Sequence, residues 1–215
     1  MDISIIIPYR NRQLHLRKFL PAIEHHLRRE KVSAEVMIIE QADEKPFNRA
    51  KLLNIGFLHS TSGHVVFHDV DMLPLAPTSY KPQDNATHLA GRASQFRYQM
   101  PYKTYFGGVT MFCRKSFEKV NGFSNVFWGW GAEDDDMFNR SEKMNVPIKW
   151  MPYRFQSLHH RREIINSQYQ ANKDRLMAGT DMNTDGLSSC EFQEQGAKIL
   201  VNKSTFVAGK ISVLL

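Results

Sequence analysis

"HVVFHDVDML" at residues 64–73 runs an apolar, strand-forming segment straight into two aspartates, Asp69 and Asp71. Two runs of the same character precede it, "ISIIIPY" at 3–9 and "AEVMIIEQ" at 34–41, and each reads as a buried strand. The first gap holds "NRQLHLRKFLPAIEHHLRRE", where Leu14, Leu16, Phe19, Leu20, Ile23 and Leu27 recur near helical spacing. Pro21 falls inside that pattern and is expected to kink the helix or mark a later start. The second gap holds "NRAKLLNIGFLHS", a helix with Ala50, Leu53, Phe57 and Leu58 on one side. Strand, helix, strand, helix, strand at this spacing predicts an α/β unit around a mostly parallel sheet. Such sheets bind ligands beyond the carboxyl ends of their strands. "PYRNR", the residues after Glu40, and "DVD" therefore fall along one edge. Residues 74–100 read as Pro-rich loop with one strand, "HLAGR".

The composition agrees with a globular chain. With 215 residues, 42% hydrophobic and 23% charged, there is enough apolar surface for a substantial core and too much for disorder. No run reaches the roughly 18 apolar residues of a membrane span, and the apolar start is too short for a secretory signal. A cytoplasmic protein is expected. The two cysteines, Cys113 and Cys190, are too few for a disulfide framework and read as small buried hydrophobes. A net charge of +6 favours anionic partners. The basic residues are dispersed and no nucleic-acid motif accompanies them, which sets nucleic acid aside. A peripheral contact with an anionic inner-membrane surface is an expectation from charge alone.

Three clusters carry chemistry. Alternation along a strand would send Asp69 and Asp71 to one side and Val70 to the other, so that two carboxylates face one ligand. Hard divalent cations take such oxygens. "LHHRRE" at 158–163 follows the expected strand "IKWMPYRF" and offers His159 or His160 as a nitrogen ligand, with Arg161 and Arg162 for phosphate oxygens. Alone, "DVD" is a pattern that occurs often by chance and "LHHRRE" also reads as a solvated polar turn; the placement of "DVD" after "VVFH" gives them weight. The third cluster is "WGWGAEDDD" at 128–136, in which "DDDMFNRSEKMN" reads as the first turns of a helix, where acids are favoured.

"FNRAKLLNIGF" (47–57), "HDVDMLPL" (68–75), "PYKTYFGGV" (101–109), "NGFSNVFWGWGAEDDDMFNR" (121–140) and "DGLSS" (185–189) occur in this order. Together they resemble the β1,4-galactosyltransferase family, glycosyltransferase family 7, over roughly residues 3–190. The resemblance implies a GT-A glycosyltransferase fold, a Rossmann-like nucleotide-binding mixed sheet flanked by helices. It would form one catalytic domain over 1–215, with residues 1–75 the nucleotide-sugar half and 76–215 the acceptor and catalytic half. It implies manganese (Mn2+), a UDP-galactose donor, and inverting transfer to a sugar hydroxyl. Pro8, Tyr9, Arg10, Asn11 and Arg12 match the first donor-contacting segment, Phe47, Asn48 and Arg49 the second, and Asp69, Val70 and Asp71 the third, with Asp71 a metal ligand. Tyr105 matches the position that sets donor selectivity, where a tyrosine favours galactose over a 2-acetamido sugar, and Gly108 follows it on the donor side. Trp130, with Gly131, matches a mobile lid over donor and acceptor. Asp134 matches the base, with Glu133 and Asp135 beside it and Asp134 and Asp135 turned toward the acceptor.

Two departures are visible. Where the family places a second and third metal ligand, this chain has "FQSLHHRRE", so Ser157 replaces one side chain and either His160 or His159 supplies the other. Residues 164–184 show no copy of the family's pocket for an N-acetyl group. The acceptor stays open among N-acetylglucosamine, xylose, glucose and lipid-linked sugars. Transfer of another sugar such as N-acetylgalactosamine, or a silent glycan- or nucleotide-binding module, stays beside the main reading.

Overall fold

The computed structural model describes residues 1–160 and 165–215. Three strands, β1 (Ile3–Tyr9), β2 (Ala34–Gln41) and β3 (His64–His68), pair in parallel, with β1 in the middle. Helices α1 (Gln13–Glu30) and α2 (Arg49–His59) are the crossovers. Every residue of β1 is buried, the mark of a parallel strand covered on both faces. Its alternation sends Ile3, Ile5, Ile7 and Tyr9 to the α1 side. Ile6 faces the other way, toward α2.

α1 runs without interruption through Pro21, and it starts at Gln13 rather than after the proline. Leu16, Phe19, Ile23 and Leu27 form its buried stripe. Leu14, expected on that stripe, is 71% exposed, and Leu58, expected on the inner side of α2, is also exposed. α2 is buried from Leu52 to Phe57 around much of its circumference, because it is held close to the sheet at Gly56. A Cβ at Gly56 would lie 2.3 Å from Ile6 Cγ2 and 3.1 Å from Ile39 Cγ1.

The remaining strands depart from the expected boundaries. The third strand stops at His68, and Asp69–Asp71 form a turn into a separate strand, β4 (Met72–Pro74). "HLAGR" spans the end of β5 (Ala86–His88) and the start of β6 (Arg92–Ala93). β7 (Val109–Cys113) and helix α3 (Arg114–Lys119) come next, then α4 (Glu133–Lys143). "IKWMPYRF" is likewise two strands, β8 (Ile148–Trp150) and β9 (Arg154–Ser157), because β8 joins the main sheet and β9 pairs with β4 and β6. After α5 (Asn166–Ala178) the chain ends in a hairpin, β10 (Gln193–Lys203) and β11 (Phe206–Leu214). β11 pairs in parallel with β2, which gives the main sheet the order β10-β11-β2-β1-β3-β7-β5-β8. The sheet is thus built from both ends of the chain. Its outer strand β10 is exposed and carries two register shifts, a common protection for an open edge.

Cys113 and Cys190 are half-buried free thiols rather than core residues, and burial pushes the Cys190 thiol up to about 11. Among the described residues no helix is long and apolar enough to cross a membrane.

The close approach at Gly56 predicts an outcome. Ile6 is β-branched and fully buried, so Gly56→Val should cost about 2–3 kcal/mol of stability by overpacking. Gly63→Ala, where a Cβ meets nothing within 4 Å, should stay within about 0.5 kcal/mol of wild type. Urea unfolding of both variants checks the contrast.

Candidate active site

The three parallel strands end on one side, and the segments that follow them meet there. Asn48 caps α2: its side chain accepts from Lys51 N at 2.9 Å, its amide N–H donates to Gln41 Oε1 at 2.9 Å, and its Nδ2 donates to Asn125 O at 2.8 Å. The cap fixes the helix start and delivers the next residue, Arg49, into the cleft. Arg49 Nε donates to Asp69 Oδ1 at 2.7 Å and Nη1 to Asp134 Oδ1 at 2.8 Å, with Glu133 Oε1 at 3.7 Å. One guanidinium therefore joins the turn after β3 to the first turn of α4. Burial alone would lower its pKa, but the three carboxylates outweigh that and hold it well above its ordinary value.

The acidic run divides among its neighbours. Glu133 and Asp134 face Arg49, Asp135 Oδ1 accepts from the Tyr102 hydroxyl at 2.9 Å, and Asp136 turns into the core. Arg140, one helical turn on, donates Nε to Asp136 Oδ2 at 2.7 Å and Nη1 to Asp185 O at 2.8 Å, while Thr180 Oγ1 donates to Asp136 Oδ1 at 2.7 Å. "DGLSS" thereby anchors α4 from beneath: Asp185 also accepts from Asn125 N at 2.8 Å and from the Ser124 hydroxyl. Burial, reinforced by Glu133, Asp69 and Asp135, holds Asp134 well above the usual carboxylate range although Arg49 opposes it. Burial raises Glu133 in the same way.

The "DVD" segment is positioned by a histidine that the sequence did not single out. His68 Nδ1 donates to Asp69 O at 2.9 Å, which leaves Nε2 to accept from the Tyr80 hydroxyl at 2.8 Å. Burial pushes His68 down to about 4, so the ring is neutral. Both aspartates reach the cleft, through a turn rather than by strand alternation: Asp69 takes Arg49 and Asp71 faces away to a second partner. The Asp71 carbonyl accepts from Leu158 N at 2.7 Å, and β4 pairs with β9 through Met72↔Ser157. That register brings His160 Nδ1 to 2.8 Å from Asp71 Oδ2. His159 is exposed, and its carbonyl faces His15 Nε2 at 3.2 Å. The Ser157 hydroxyl donates to Met72 Sδ at 3.4 Å. Arg161 and Arg162 lie outside the described residues.

A carboxylate oxygen facing an imidazole nitrogen is a donor pair that fits a divalent transition ion such as manganese. Among the described residues no group of three or more His, Cys, Asp or Glu side chains could hold a metal.

Arg10 and Phe47 come together at the ends of β1 and β2, with the guanidinium 5.3 Å from the ring centroid and Arg10 Nη1 donating to Lys45 O at 2.6 Å. Pro8, Tyr9, Asn48 and Val70 are buried, so their side chains are walls of the cleft rather than open contacts. Asn11 turns the chain at φ 54 and Arg12 O accepts the first helical bond of α1 from Leu16 N at 2.9 Å. Tyr105 packs edge-on against His88, Phe96 and Tyr102, and its hydroxyl lies 3.6 Å from where a Gly108 Cβ would be. The segment expected to form a lid is tied to the stretch between β2 and α2 and to α5: Gly129 N donates to Phe47 O at 2.9 Å, and the Trp130 ring lies 5.1 Å from that of Tyr169. Gly129, Gly131 and Ala132 have φ of 78, 96 and 80. α5 buries only Asn172, whose Nδ2 donates to Trp128 O at 2.9 Å.

The chain is similar to known proteins in sequence and in fold. A family model described as the N-terminal region of glycosyl transferase group 7 matches residues 1–81, and one described as the N-terminal domain of galactosyltransferase matches 87–163. Beta-1,4-galactosyltransferase 4 of Homo sapiens is 37% identical over 201 residues, covering 89% of this chain and 58% of the relative. Beta-1,4-galactosyltransferase 1 of Homo sapiens is 36% identical over 200 residues, covering 89% and 50%. The chain thus spans little more than half the length of the curated relatives it matches. Among solved structures, the catalytic domain of Drosophila beta1,4-galactosyltransferase 7 in complex with xylobiose superposes with a TM-score of 0.85 at 24% identity, covering 99% of this chain and 93% of that one. A mutant of the same enzyme was solved with manganese, UDP-Gal and xylobiose. The fold is GT-A.

The raised Asp134 carries a stability consequence. Over the interval between the ordinary aspartate value and its raised one, the folded state holds a proton that the unfolded chain has released, so stability falls as pH rises through that interval. Asp134→Asn should flatten the slope when urea midpoints are followed from about pH 4 to pH 8. Parallel curves for variant and wild type would mean that Asp134 titrates as an ordinary aspartate.

Proposed function

The chain belongs to glycosyl transferase group 7, the family of the β1,4-galactosyltransferases, and from that premise we propose that it transfers galactose from UDP-galactose to a hydroxyl of an acceptor sugar. The transfer inverts the anomeric centre and makes a β1,4-type linkage. The observation that carries this reading is the Arg49 bridge, which sets a carboxylate of raised pKa, Asp134, across the cleft from the Asp71–His160 pair.

The acceptor oxygen attacks the anomeric carbon from the face opposite UDP, the bond from that carbon to the diphosphate oxygen breaks, and Asp134 takes the acceptor's proton. A carboxylate held above its usual range by burial is a stronger base than an exposed one. Arg49 keeps Asp134 in place and sustains its ionised form against Glu133 and Asp69. Asp135, held by Tyr102, faces the acceptor. Asp71 and His160 would hold manganese, which when bound offsets the negative charge gathering on the departing diphosphate. Ser157, whose hydroxyl donates to Met72 Sδ, would not be among the residues that hold it.

On the donor side, Phe47 offers a ring face to the uracil, with Arg10 stacked against it. Tyr105, wedged among three rings, fixes the wall that selects galactose over a 2-acetamido sugar. Trp130 covers the sugar and excludes water, and the glycines beside it permit the backbone change. The tether from Asn172 to Trp128 couples α5 to that movement.

Incubation with Mn2+, UDP-galactose and a panel of monosaccharide and disaccharide acceptors should release UDP faster than donor hydrolysis alone. Asp134→Asn should lower kcat by about 10²–10⁴-fold with UDP binding retained. Asp71→Asn should lose Mn2+-dependent UDP binding in calorimetry. Equal turnover by Asp134→Asn and wild type would exclude Asp134 as the base.

A further inference from the structure

The outward face of α1 is basic along its whole length. Leu14, Arg17, Lys18, His25, Arg28 and Arg29 are all exposed, and at about 100° per residue they share an arc of about 120° opposite the buried stripe of α1. At about 1.5 Å per residue the arc runs about 22 Å over the surface. No Asp or Glu falls within it. The two acids of the helix stand outside the arc and have partners: Glu24 pairs with Lys203 of β10, and Glu30 accepts from Tyr80 N at 2.8 Å. Arg17, Lys18, Arg28 and Arg29 have no ion pair among the described residues.

A hollow of about 200 Å³ flanks the arc, between α1 and the terminal hairpin. Leu16, Leu20 and Leu200 give it an aliphatic lining, and Arg17, Lys198 and Lys210 line it as well. Glu40 neutralises Lys210, so the uncompensated charge at the hollow is that of Arg17 and Lys198. Leu14, at the start of the arc, is 71% exposed, and Leu200 is 37% exposed. Cations dispersed in the sequence are thus gathered with open aliphatic side chains on the α1 side of the sheet. Transfer at Asp134 gives none of them a part.

A strip of unpaired cations attracts a polyanion. Nucleic acid would also need rings on which its bases stack, and no phenyl, phenol or indole stands on the arc. An anionic bilayer needs cations for its headgroups and some apolar surface, and both are present. We propose that this face docks the protein on an anionic phospholipid surface. Arg17, Lys18, Arg28, Arg29 and Lys198 meet the headgroup phosphates, and Leu14 and the lining of the hollow meet the apolar boundary beneath them. The face borders the cleft, since the ring of His15, in the first turn of α1, lies 6.0 Å from that of His160. The proposal does not depend on the transferase reading.

Sedimentation of the full chain with vesicles tests it. Vesicles of equal parts phosphatidylglycerol and phosphatidylcholine should bind the protein at least about ten-fold better than phosphatidylcholine alone, and added salt should weaken that binding. Arg17→Glu combined with Lys18→Glu should lower it by about ten-fold or more. Lys115→Glu combined with Lys119→Glu makes the same charge change on exposed residues of α3, which covers the other face of the sheet. That pair should lower binding by less than about two-fold. If the first pair melts early, Arg28→Gln combined with Arg29→Gln replaces it. Equal losses in the α1 and α3 pairs would assign the binding to net charge and overturn the docking face. No sedimentation with the anionic vesicles would overturn the proposal, and so would single-stranded RNA bound more tightly than those vesicles through Arg17 and Lys18.

Discussion

A single guanidinium holds the cleft together. Arg49 stands at the start of α2, bonded to Asp69 after β3 and to Asp134 at the start of α4, so two segments 65 residues apart in sequence share one counter-charge. Without it three carboxylates would face one another in a partly desolvated space, where like charges are costly. Its own position depends on Asn48, which fixes the first turn of α2 by bonding to Gln41 at the end of β2 and to Asn125 in the loop before α4. The turn after β3 and the first turn of α4 are in this way one electrostatic unit.

The four consecutive acids of α4 lie where a helix macrodipole favours negative charge, but a helix turns about 100° per residue, so they cannot all face one ligand. Asp136 points inward and is held by Arg140 at the i+4 position, which in turn binds Thr180 and Asp185. This buried pair gives α4 a fixed rotation. The rotation leaves Glu133 and Asp134 to Arg49 and Asp135 to Tyr102. Asp136 thus sets, through the rotation of the helix, where Asp134 and Asp135 point.

The Asp71–His160 pair depends on strand register. "DVD" and "LHH" were both legible as ligand types, but nothing in their spacing chooses between His159 and His160. The antiparallel pairing of β4 with β9 makes the choice, because Met72 opposite Ser157 carries His160 to Asp71 and turns His159 outward. The same pairing sets the Ser157 hydroxyl against Met72 Sδ. His68 and Tyr80, which fix the turn between the two aspartates, gave no local signal: a histidine inside an apolar strand reads as core until its partner, twelve residues away, is placed beside it.

Residues 1–68 determined much of their own structure. Apolar period and length specified three buried strands and two crossover helices, because a parallel strand covered on both faces must be apolar throughout and an amphipathic helix must repeat near 3.6 residues. Residue chemistry, in "NR", "DVD", "HH" and "EDDD", singled out side chains that the fold brings into one cleft. Only the tertiary structure decided how the parts meet. The C-terminal hairpin joins β2 across the whole chain length, α1 tolerates Pro21 because packing outweighs one lost hydrogen bond, and the acids divide according to which partners surround α4. Such choices rest on long-range contacts, and a local pattern carries no record of its distant partner.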